Sequence, residues 1–235
     1  MAGKTLVVSR HELKYPISFE HYASLDNTLK NVLIEDKHNG LYGYQVRSLY
    51  FDSYENTDFY EKLSGLENRK KIRLRTYSPD SPLVKLEIKI KRNTSQEKKS
   101  VNILKEDAEE LINLNYDVLN KYESEAAAMI YRIMKFNYLR PVVLIEYTRK
   151  AFIHPMNNIR LTLDSDIRSS ETDFNMFSKD VILTPVEEYF SALLEVKYDK
   201  FIFKVLTDLI TPHNVNQESY SKYMVSRGIF ERYMA

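Results

Sequence analysis

Residues 69–93, RKKIRLRTYSPDSPLVKLEIKIKRN, contain two runs of alternating apolar and charged residues joined by the turn-forming segment SPDSP. A period of two is typical of β-strands, and the turn between the runs predicts a hairpin. On the first run, Ile72 and Leu74 lie on one face, and Arg73 and Arg75 lie on the other. The charged faces of the two runs contain Arg73, Arg75, Lys85, Glu87, Lys89 and Lys91. The pattern therefore predicts a sheet with one apolar face and one mainly basic face.

The rest of the chain is predicted to add six strands and several helices around this hairpin. The strand segments are residues 5–15, 44–53, 96–103, 140–153, 159–167 and 191–199. The helical segments are residues 19–36, 105–114, 123–139, 201–210 and 219–232, with a short helix or turn in 56–65. Strands followed by a helical insert, more strands and terminal helices indicate an α+β fold. No linker divides the chain, so residues 1–235 are interpreted as a single domain.

Composition excludes several classes of function. The chain has 235 residues, a net charge of +1 and no cysteine. Disulfides, thiolate zinc sites and cysteine nucleophiles are thereby excluded, and a cytoplasmic location is favoured. The five glycines fit neither G-x-x-x-x-G-K-[ST] nor G-x-G-x-x-G, so any bound phosphate must be held by side chains. No apolar run approaches the ~20 residues that cross a bilayer, and the near-zero charge argues against a nucleic-acid partner.

The near-zero total charge conceals strong segregation along the chain. Residues 69–99 contain eleven Lys or Arg and three acidic residues, whereas residues 100–130 contain two basic and seven acidic residues. One interpretation is an ordinary amphipathic sheet with its charges in solvent. The other is a closed sheet with helices packed outside and an Arg/Lys-lined lumen suited to a polyanion. Carboxylates recur on the charged faces, and they are either salt-bridge partners or hard oxygen ligands for a divalent cation.

Eight ordered motifs resemble the VTC domain, the polyphosphate-polymerase branch of the CYTH or triphosphate-tunnel superfamily. They are RHELKYPI, VRSLYFDS, KIRLRTY, LEIKIKRN, EKKSV, the YTRKAF and RLTLD pair, LLEVKYD and SKYMVSR. The resemblance covers Arg10 to Arg227. It implies an eight-stranded antiparallel β-tunnel, closed as a barrel, with helices packed outside. It also implies transfer of the γ-phosphate of ATP to a growing polyphosphate chain with a divalent metal ion, Mn or Mg.

The resemblance implies roles for Lys14, Arg73, Arg75, Lys89, Arg149, Arg160, Lys222 and Glu195, and the charged strand faces add the remaining candidates. The catalytic candidates are Arg73, Arg75, Arg149, Arg160 and Lys14. The substrate-binding candidates are Arg10, Arg47, Lys89, Lys91, Lys98, Lys99, Lys197 and Lys222, of which Lys98 and Lys99 can equally be simple strand-end residues. The metal-binding candidates are Glu195, Glu12 and Glu146, with Glu195 as the principal one. ATP and polyphosphate are the implied partners, with phosphate or pyrophosphate as primer or ligand, and a membrane-protein partner is left open.

One departure from the superfamily pattern bears on the reaction. Hydrolytic members open with E-x-E-x-K, whereas this chain has Arg10, Glu12 and Lys14. The replacement of one carboxylate by a cation favours the polymerase over a two-metal triphosphatase. Two alternatives stay open: a tripolyphosphate or nucleoside-triphosphate hydrolase, and a non-catalytic module that binds polyphosphate or inositol phosphate.

Overall fold

The computed structural model describes residues 10–93, 95–186, 190–210 and 216–234, without the side chains of residues 10 and 230–234. The strands are β1 (Arg10–Ile17), β2 (Ile34–Glu35), β3 (Tyr44–Asp52), β4 (Arg69–Thr76), β5 (Leu83–Arg92), β6 (Ser95–Leu104), β7 (Arg140–His154), β8 (Ile159–Ser170), β9 (Thr184–Pro185) and β10 (Ala192–Asp199). The helices are α1 (Phe19–Val32), α2 (Thr57–Leu63), α3 (Lys105–Ile112), α4 (Glu125–Phe136), α5 (Lys204–Ile210) and α6 (Lys222–Met234). Short 3₁₀ helices span Tyr116–Lys121 and Met156–Asn158.

The eight longer strands follow one hydrogen-bonded path in the order β1-β10-β8-β7-β3-β4-β5-β6, with β2 on β7 and β9 on β8. Every strand pairing for which a register is defined is antiparallel. The path ends at β1 and β6, and no sheet hydrogen bonds join those two strands within the described residues. The predicted α+β class and antiparallel sheet are confirmed, whereas closure of the sheet into a barrel is not.

The predicted elements are largely present, and the differences have local causes. All eight predicted strands form, although residues 5–9 of the first lie outside the described part of the chain. Helix α1 ends at Val32, short of the predicted residue 36, because Ile34 and Glu35 pair with β7 instead. Two consecutive residues cannot show a strand period, so β2 was not foreseeable from alternation. The 3₁₀ helix at Tyr116–Lys121 was also missed.

The described residues fall into two compact units, each with its own apolar core. Of the described residues, the first unit contains 10–44, 148–167, 190–210 and 216–220, and the second contains 45–93, 95–147, 168–186 and 221–234. In the first unit, Leu25 and Leu29 of α1 are buried in a cluster with apolar residues of β8 and β10. Alternate positions of β1, β8 and β10 carry the polar residues Glu12, Lys14, Arg160, Thr162, Asp164, Glu195 and Lys197.

In the second unit, helices cover the apolar face of the β4–β6 meander. The register pairs Ile72 with Ile88 and Leu74 with Leu86, which places these four fully buried side chains on one face. They share a core with apolar residues of α3 and α4, including Leu111. Burial of such side chains favours folding by about 1.5–3 kcal/mol each. The predicted packing of helices against the apolar side of this hairpin is therefore present, and the charged side chains lie on the opposite face.

A buried carboxylate links α2 and α6 to β3 in the second unit. Asp52 accepts hydrogen bonds from the backbone N–H groups of Ser53, Asp58 and Phe59 and from the Tyr223 hydroxyl at 2.7 Å. Burial, together with the charge of Asp52, raises the pKa of Tyr223. The hydroxyl therefore stays protonated and donates at neutral pH.

We expect Tyr223→Phe to lower the free energy of unfolding by about 2 kcal/mol, the usual effect of deleting a buried hydrogen bond to a charged group. Urea unfolding at pH 7 measures this change. The matched control is Tyr60→Phe, which removes a hydroxyl from a half-exposed ring and should cost less than about 0.5 kcal/mol. Equal losses in the two variants would contradict the role assigned to the Asp52–Tyr223 bond.

Among the described residues, no helix is both long and apolar enough to cross a membrane.

Candidate functional site

The charged face of the β4–β6 meander is assembled by strand register. Pairing places Arg69 beside Lys91, Lys71 beside Lys89 and Arg75 beside Lys85, while Lys98 of β6 lies beside Lys89. Arg73 is paired with Glu87, the exception in this array of cations. Eight Lys or Arg side chains and one carboxylate thus share the face opposite α3 and α4. Helix α6 contacts part of this face, because Tyr223 lies over Nζ of Lys71 at 4.4 Å. The predicted residues Arg73, Arg75, Lys89, Lys91 and Lys98 all belong to this face.

Glu87 is the centre of a compact ion cluster in the second unit. Its Oε2 accepts from Nε and Nη2 of Arg73, both at 2.8 Å, and its Oε1 lies 2.5 Å from Nζ of Lys98. Nη1 of Arg75 is 4.0 Å from Oε2. Burial alone would raise the pKa of Glu87, but the charges of Arg73, Arg75 and Lys98 outweigh it and lower the pKa to about 2. The carboxylate is therefore ionised at every physiological pH.

The two predicted arginines of β4 are further oriented by hydroxyl groups. Nη1 of Arg73 donates to the Tyr50 hydroxyl at 2.8 Å. Nε of Arg75 donates to Oγ of Ser48 at 3.2 Å, and its Nη2 lies 3.5 Å from the Tyr147 hydroxyl. Such contacts fix the planes of both guanidinium groups, which is the geometry that bidentate phosphate binding needs.

Lys222, at the start of α6, also belongs to the second unit. Its Nζ lies 4.7 Å from the centroid of the Tyr147 ring, a cation–π contact. Because Arg75 contacts the hydroxyl of the same tyrosine, the structure brings these two predicted residues to one aromatic side chain.

Arg47 and Glu146 form a structural pair in the second unit. Nε and Nη2 of Arg47 lie 2.6 and 2.5 Å from Oε2 of Glu146, and Nη1 donates to the carbonyl oxygens of Met176 and Ser178. Arg47 is only 3% exposed. Its donors hold the segment between β8 and β9, so a substrate-binding role for Arg47 and a metal-binding role for Glu146 stay predictions that this arrangement does not favour.

Lys99 and Arg10 are two further residues that were predicted to bind substrate. Lys99 is paired with Ile88 and therefore lies on the helix side of the meander, where it contacts Glu97 and Glu125. It is thus separated from the face of Arg73 by the sheet itself. Arg10 is paired with Asp199 through its backbone, and its side chain lies outside the described part of the chain.

Four alternating charges lie on adjacent strands β1 and β10 of the first unit. Nζ of Lys14 is 3.3 Å from Glu12 and 3.7 Å from Glu195, while Nζ of Lys197 is 3.8 Å from Glu12 and 2.9 Å from Glu195. The register explains the arrangement, because Lys14 is paired with Glu195 and Glu12 with Lys197. The structure therefore brings together two of the three predicted metal ligands and two of the predicted cations.

Two of these four charged side chains, Glu12 and Glu195, are candidate ligands for a divalent ion. No group of three or more His, Asp or Glu side chains is arranged to hold a metal within the described ranges. Magnesium, however, is commonly bound by one or two carboxylates with phosphate and water oxygens completing its shell. Glu12 and Glu195 provide hard oxygen ligands of this kind, so the residues fit an ion that binds together with its phosphate ligand.

Arg149 of β7 forms a buried bidentate ion pair in the first unit. Its Nε and Nη2 donate to Oδ1 and Oδ2 of Asp164 at 2.6 and 2.7 Å, and Nη2 lies 3.8 Å from Glu195. Asp164 is fully buried. This aspartate was not among the predicted site residues, although alternation along β8 places it on the same face as Arg160.

Arg160 is more exposed than Arg149 and makes longer contacts. Its Nη2 lies 3.5 Å from Oδ2 of Asp36 and 3.2 Å from the Tyr44 hydroxyl. Asp36 also accepts from the backbone N–H of His38 and lies 3.0 Å from its ring. About a third of the Arg160 side chain remains accessible, which leaves room for an anion to approach.

Comparison with known proteins identifies the family. The model described as the VTC domain matches residues 9–230. The chain belongs to the VTC domain family, as the ordered motifs predicted. No curated protein matches the chain.

Solved structures of low sequence identity are similar to the chain, and one of them shares its fold. One is a Bacillus halodurans protein provisionally named an adenylate cyclase, 11% identical, with a TM-score of 0.55 over 97% of this chain and 98% of that chain. A Pyrococcus horikoshii OT3 protein is also 11% identical, with a TM-score of 0.48 over 95% and 99%. At such identity the likeness concerns the fold alone.

Proposed function

We propose that the chain is a metal-dependent polyphosphate polymerase that transfers the γ-phosphate of ATP to the end of a polyphosphate chain. The observation that carries the proposal is the β4–β6 face, where eight cations and one carboxylate lie on the side of the sheet opposite α3 and α4. A surface with this charge suits a ligand with regularly spaced negative charges. Membership of the VTC family supports the choice of a phosphate polymer as that ligand.

The reaction asks little covalent chemistry of the protein. A terminal polyphosphate oxygen attacks the γ-phosphorus of ATP, the bond from that phosphorus to the β,γ-bridging oxygen breaks, and ADP leaves with the electron pair. The attacking oxygen is ionised near neutral pH, since the second pKa of a phosphate monoester is about 6. A general base is therefore not required. Catalysis depends on positioning the two phosphates and neutralising charge as the phosphoryl group moves.

The residues divide into roles within each unit. Arg73 and Arg75 hold phosphate oxygens, and Lys89, Lys91, Lys98 and Lys222 extend the cationic surface of the second unit. In the first unit Arg149 and Arg160 bind phosphate oxygens, with Lys14 and Lys197 beside them. Glu195, assisted by Glu12, would hold the divalent ion, which when bound supplies Lewis-acid stabilisation of phosphate oxygens. Both units are proposed to serve this one activity in a single cytoplasmic domain, with the strands closed as a tunnel.

The proposal is tested by incubating the purified chain with ATP and Mn²⁺ or Mg²⁺ and separating the products on a gel. Long polyphosphate chains and ADP are expected, and removal of the metal with a chelator should abolish their formation. Orthophosphate as the only phosphate product would identify a hydrolase instead. Binding of polyphosphate without turnover under all metal conditions would identify a binding module.

Glu195→Gln is expected to lower the rate of synthesis by about 10- to 100-fold, the usual cost of losing a group that orients a metal site. The loss should be partly recovered by raising the metal concentration, because the defect is in metal affinity. Glu20→Gln, an exposed carboxylate on α1, is the matched control and should retain full activity. Unchanged activity in Glu195→Gln would remove Glu195 from the proposed metal site.

A further inference from the structure

Glu87 is the one negative side chain among the register-paired residues that form the cationic face of β4, β5 and β6. Its neighbours across the sheet are Arg73 on one side and Ser100 on the other. The carboxylate is only 3% exposed, yet three cations converge on it. A carboxylate in this position interacts with the same Arg and Lys donor groups that a bound phosphate would use.

Glu87 orients the side chains of Arg73 and Lys98, and it also competes with a bound phosphate group for their hydrogen-bond donors. Nε and Nη2 of Arg73 form the edge of the guanidinium group that binds phosphate bidentately, and both are directed to Oε2 of Glu87. Lys98 is drawn to the other carboxylate oxygen. Its side chain is half exposed, so a ligand in solvent can reach it, but only against the attraction of Glu87.

We propose that Glu87 is an internal counter-ion that weakens the hold of the β4–β6 face on phosphate polymers. This inference rests on the proposed function, because a polymerase must let its product move after each transfer. Eight cations without a counter-charge would bind a polyanion tightly and slow that movement. Glu87 offers Arg73 and Lys98 an alternative partner each time a phosphate group leaves, so departure does not expose uncompensated charges.

The two effects of Glu87, its charge and its role as an acceptor, can be separated by substitution. Gln at this position keeps an oxygen that accepts from Arg73 but removes the negative charge. Asp keeps the charge on a shorter side chain, and Ala removes both the charge and the acceptor. If Glu87 were only a positioning residue, Gln would preserve or weaken phosphate binding. If it is a counter-ion, Gln must strengthen binding.

The experiment measures binding of tripolyphosphate without nucleotide or metal, by titration calorimetry at several salt concentrations. Glu87→Gln is expected to bind about tenfold more tightly than the wild type, since a charge within a few ångströms of the ligand is removed from a weakly screened site. The salt dependence should become steeper. Glu87→Asp should bind as the wild type does. Glu97→Gln makes the same charge change on the opposite face of the meander and should leave the affinity unchanged.

A second variant covers the case in which Glu87→Gln folds poorly. Ser100 is exposed on β6 directly beside Glu87, so Ser100→Asp adds a second negative charge to the cationic face and leaves the side chain of Glu87 in place. Its affinity for tripolyphosphate should fall about tenfold. Thermal unfolding of each variant identifies any that are misfolded.

The outcomes separate this inference from the proposed function. Tripolyphosphate binding by the wild type, with no gain in Glu87→Gln or no loss in Ser100→Asp, overturns the counter-ion role and leaves the polymerase proposal standing. Absence of tripolyphosphate binding by the wild type without metal overturns the counter-ion role, and absence of binding with Mn²⁺ present as well overturns the polymerase proposal. Tighter tripolyphosphate binding by Glu87→Gln, together with slower release of the long polyphosphate chains that this variant synthesises from ATP, supports the counter-ion role directly.

Discussion

Arg75→Ala is expected to lower the rate of polyphosphate synthesis from ATP by about 1,000-fold, the scale at which a single arginine stabilises the transition state of phosphoryl transfer. The Arg75 side chain is 11% exposed and held by Ser48 and Tyr147, so its guanidinium group is fixed before a ligand binds. A preorganised donor gives more catalysis than a mobile one, because no reorganisation is needed as charge develops. Initial rates at saturating ATP, with products resolved on a gel, measure the effect.

The controls for Arg75 test charge, geometry and folding separately. Arg75→Lys keeps the charge but loses the planar fork, so we expect an intermediate loss of rate. Arg92→Ala removes an exposed arginine from the end of β5 and should change the rate less than twofold. Thermal unfolding of Arg75→Ala must remain cooperative for the comparison to hold. A fall smaller than about threefold in a folded Arg75→Ala protein would exclude Arg75 from the catalytic centre.

The faces of the β4–β5 hairpin could be predicted from sequence because the relevant information is local. Alternation alone assigned Ile72 and Leu74 to one side and Arg73 and Arg75 to the other, and the SPDSP turn predicted the antiparallel pairing. The structure confirms both assignments. Helices α3 and α4 cover the apolar side.

The partners of the charged residues could not be predicted in the same way, because they depend on contacts distant in sequence. Alternation in VRSLYFDS places Arg47 on the face of Leu49 and Phe51, which is opposite the face of Arg75. It does not show that the Arg47 guanidinium group is engaged by Glu146 and by carbonyl groups about 130 residues away. Alternation within β6 places Lys99 on the face of Val101 and Ile103, whereas its ion pair with Glu125 of α4 depends on a contact distant in sequence.

The Arg149–Asp164 pair shows how a residue proposed to bind phosphate is also part of the fold. Asp164 is fully buried, and both of its oxygens accept from Arg149. Two buried charges in bidentate contact contribute little net stability as a pair, but removing one of them leaves the other uncompensated. The free energy of unfolding therefore responds very differently to single and double substitutions at these positions.

Asp164→Ala is expected to lower the free energy of unfolding by about 3 kcal/mol, at the lower end of the range for breaking a buried ion pair, because Glu195 remains 3.8 Å from Nη2 of Arg149. The double variant Arg149→Met, Asp164→Leu should lose less than Asp164→Ala alone, since no buried charge is left unpaired. Urea unfolding of Arg149→Met, of Asp164→Leu and of the double variant gives the coupling energy between the positions. Additive losses would show that the two side chains are independent. A strong coupling would instead mean that the affinity of Arg149 for phosphate is limited by its hold on Asp164, so that any anion binding there must share the guanidinium group with the aspartate.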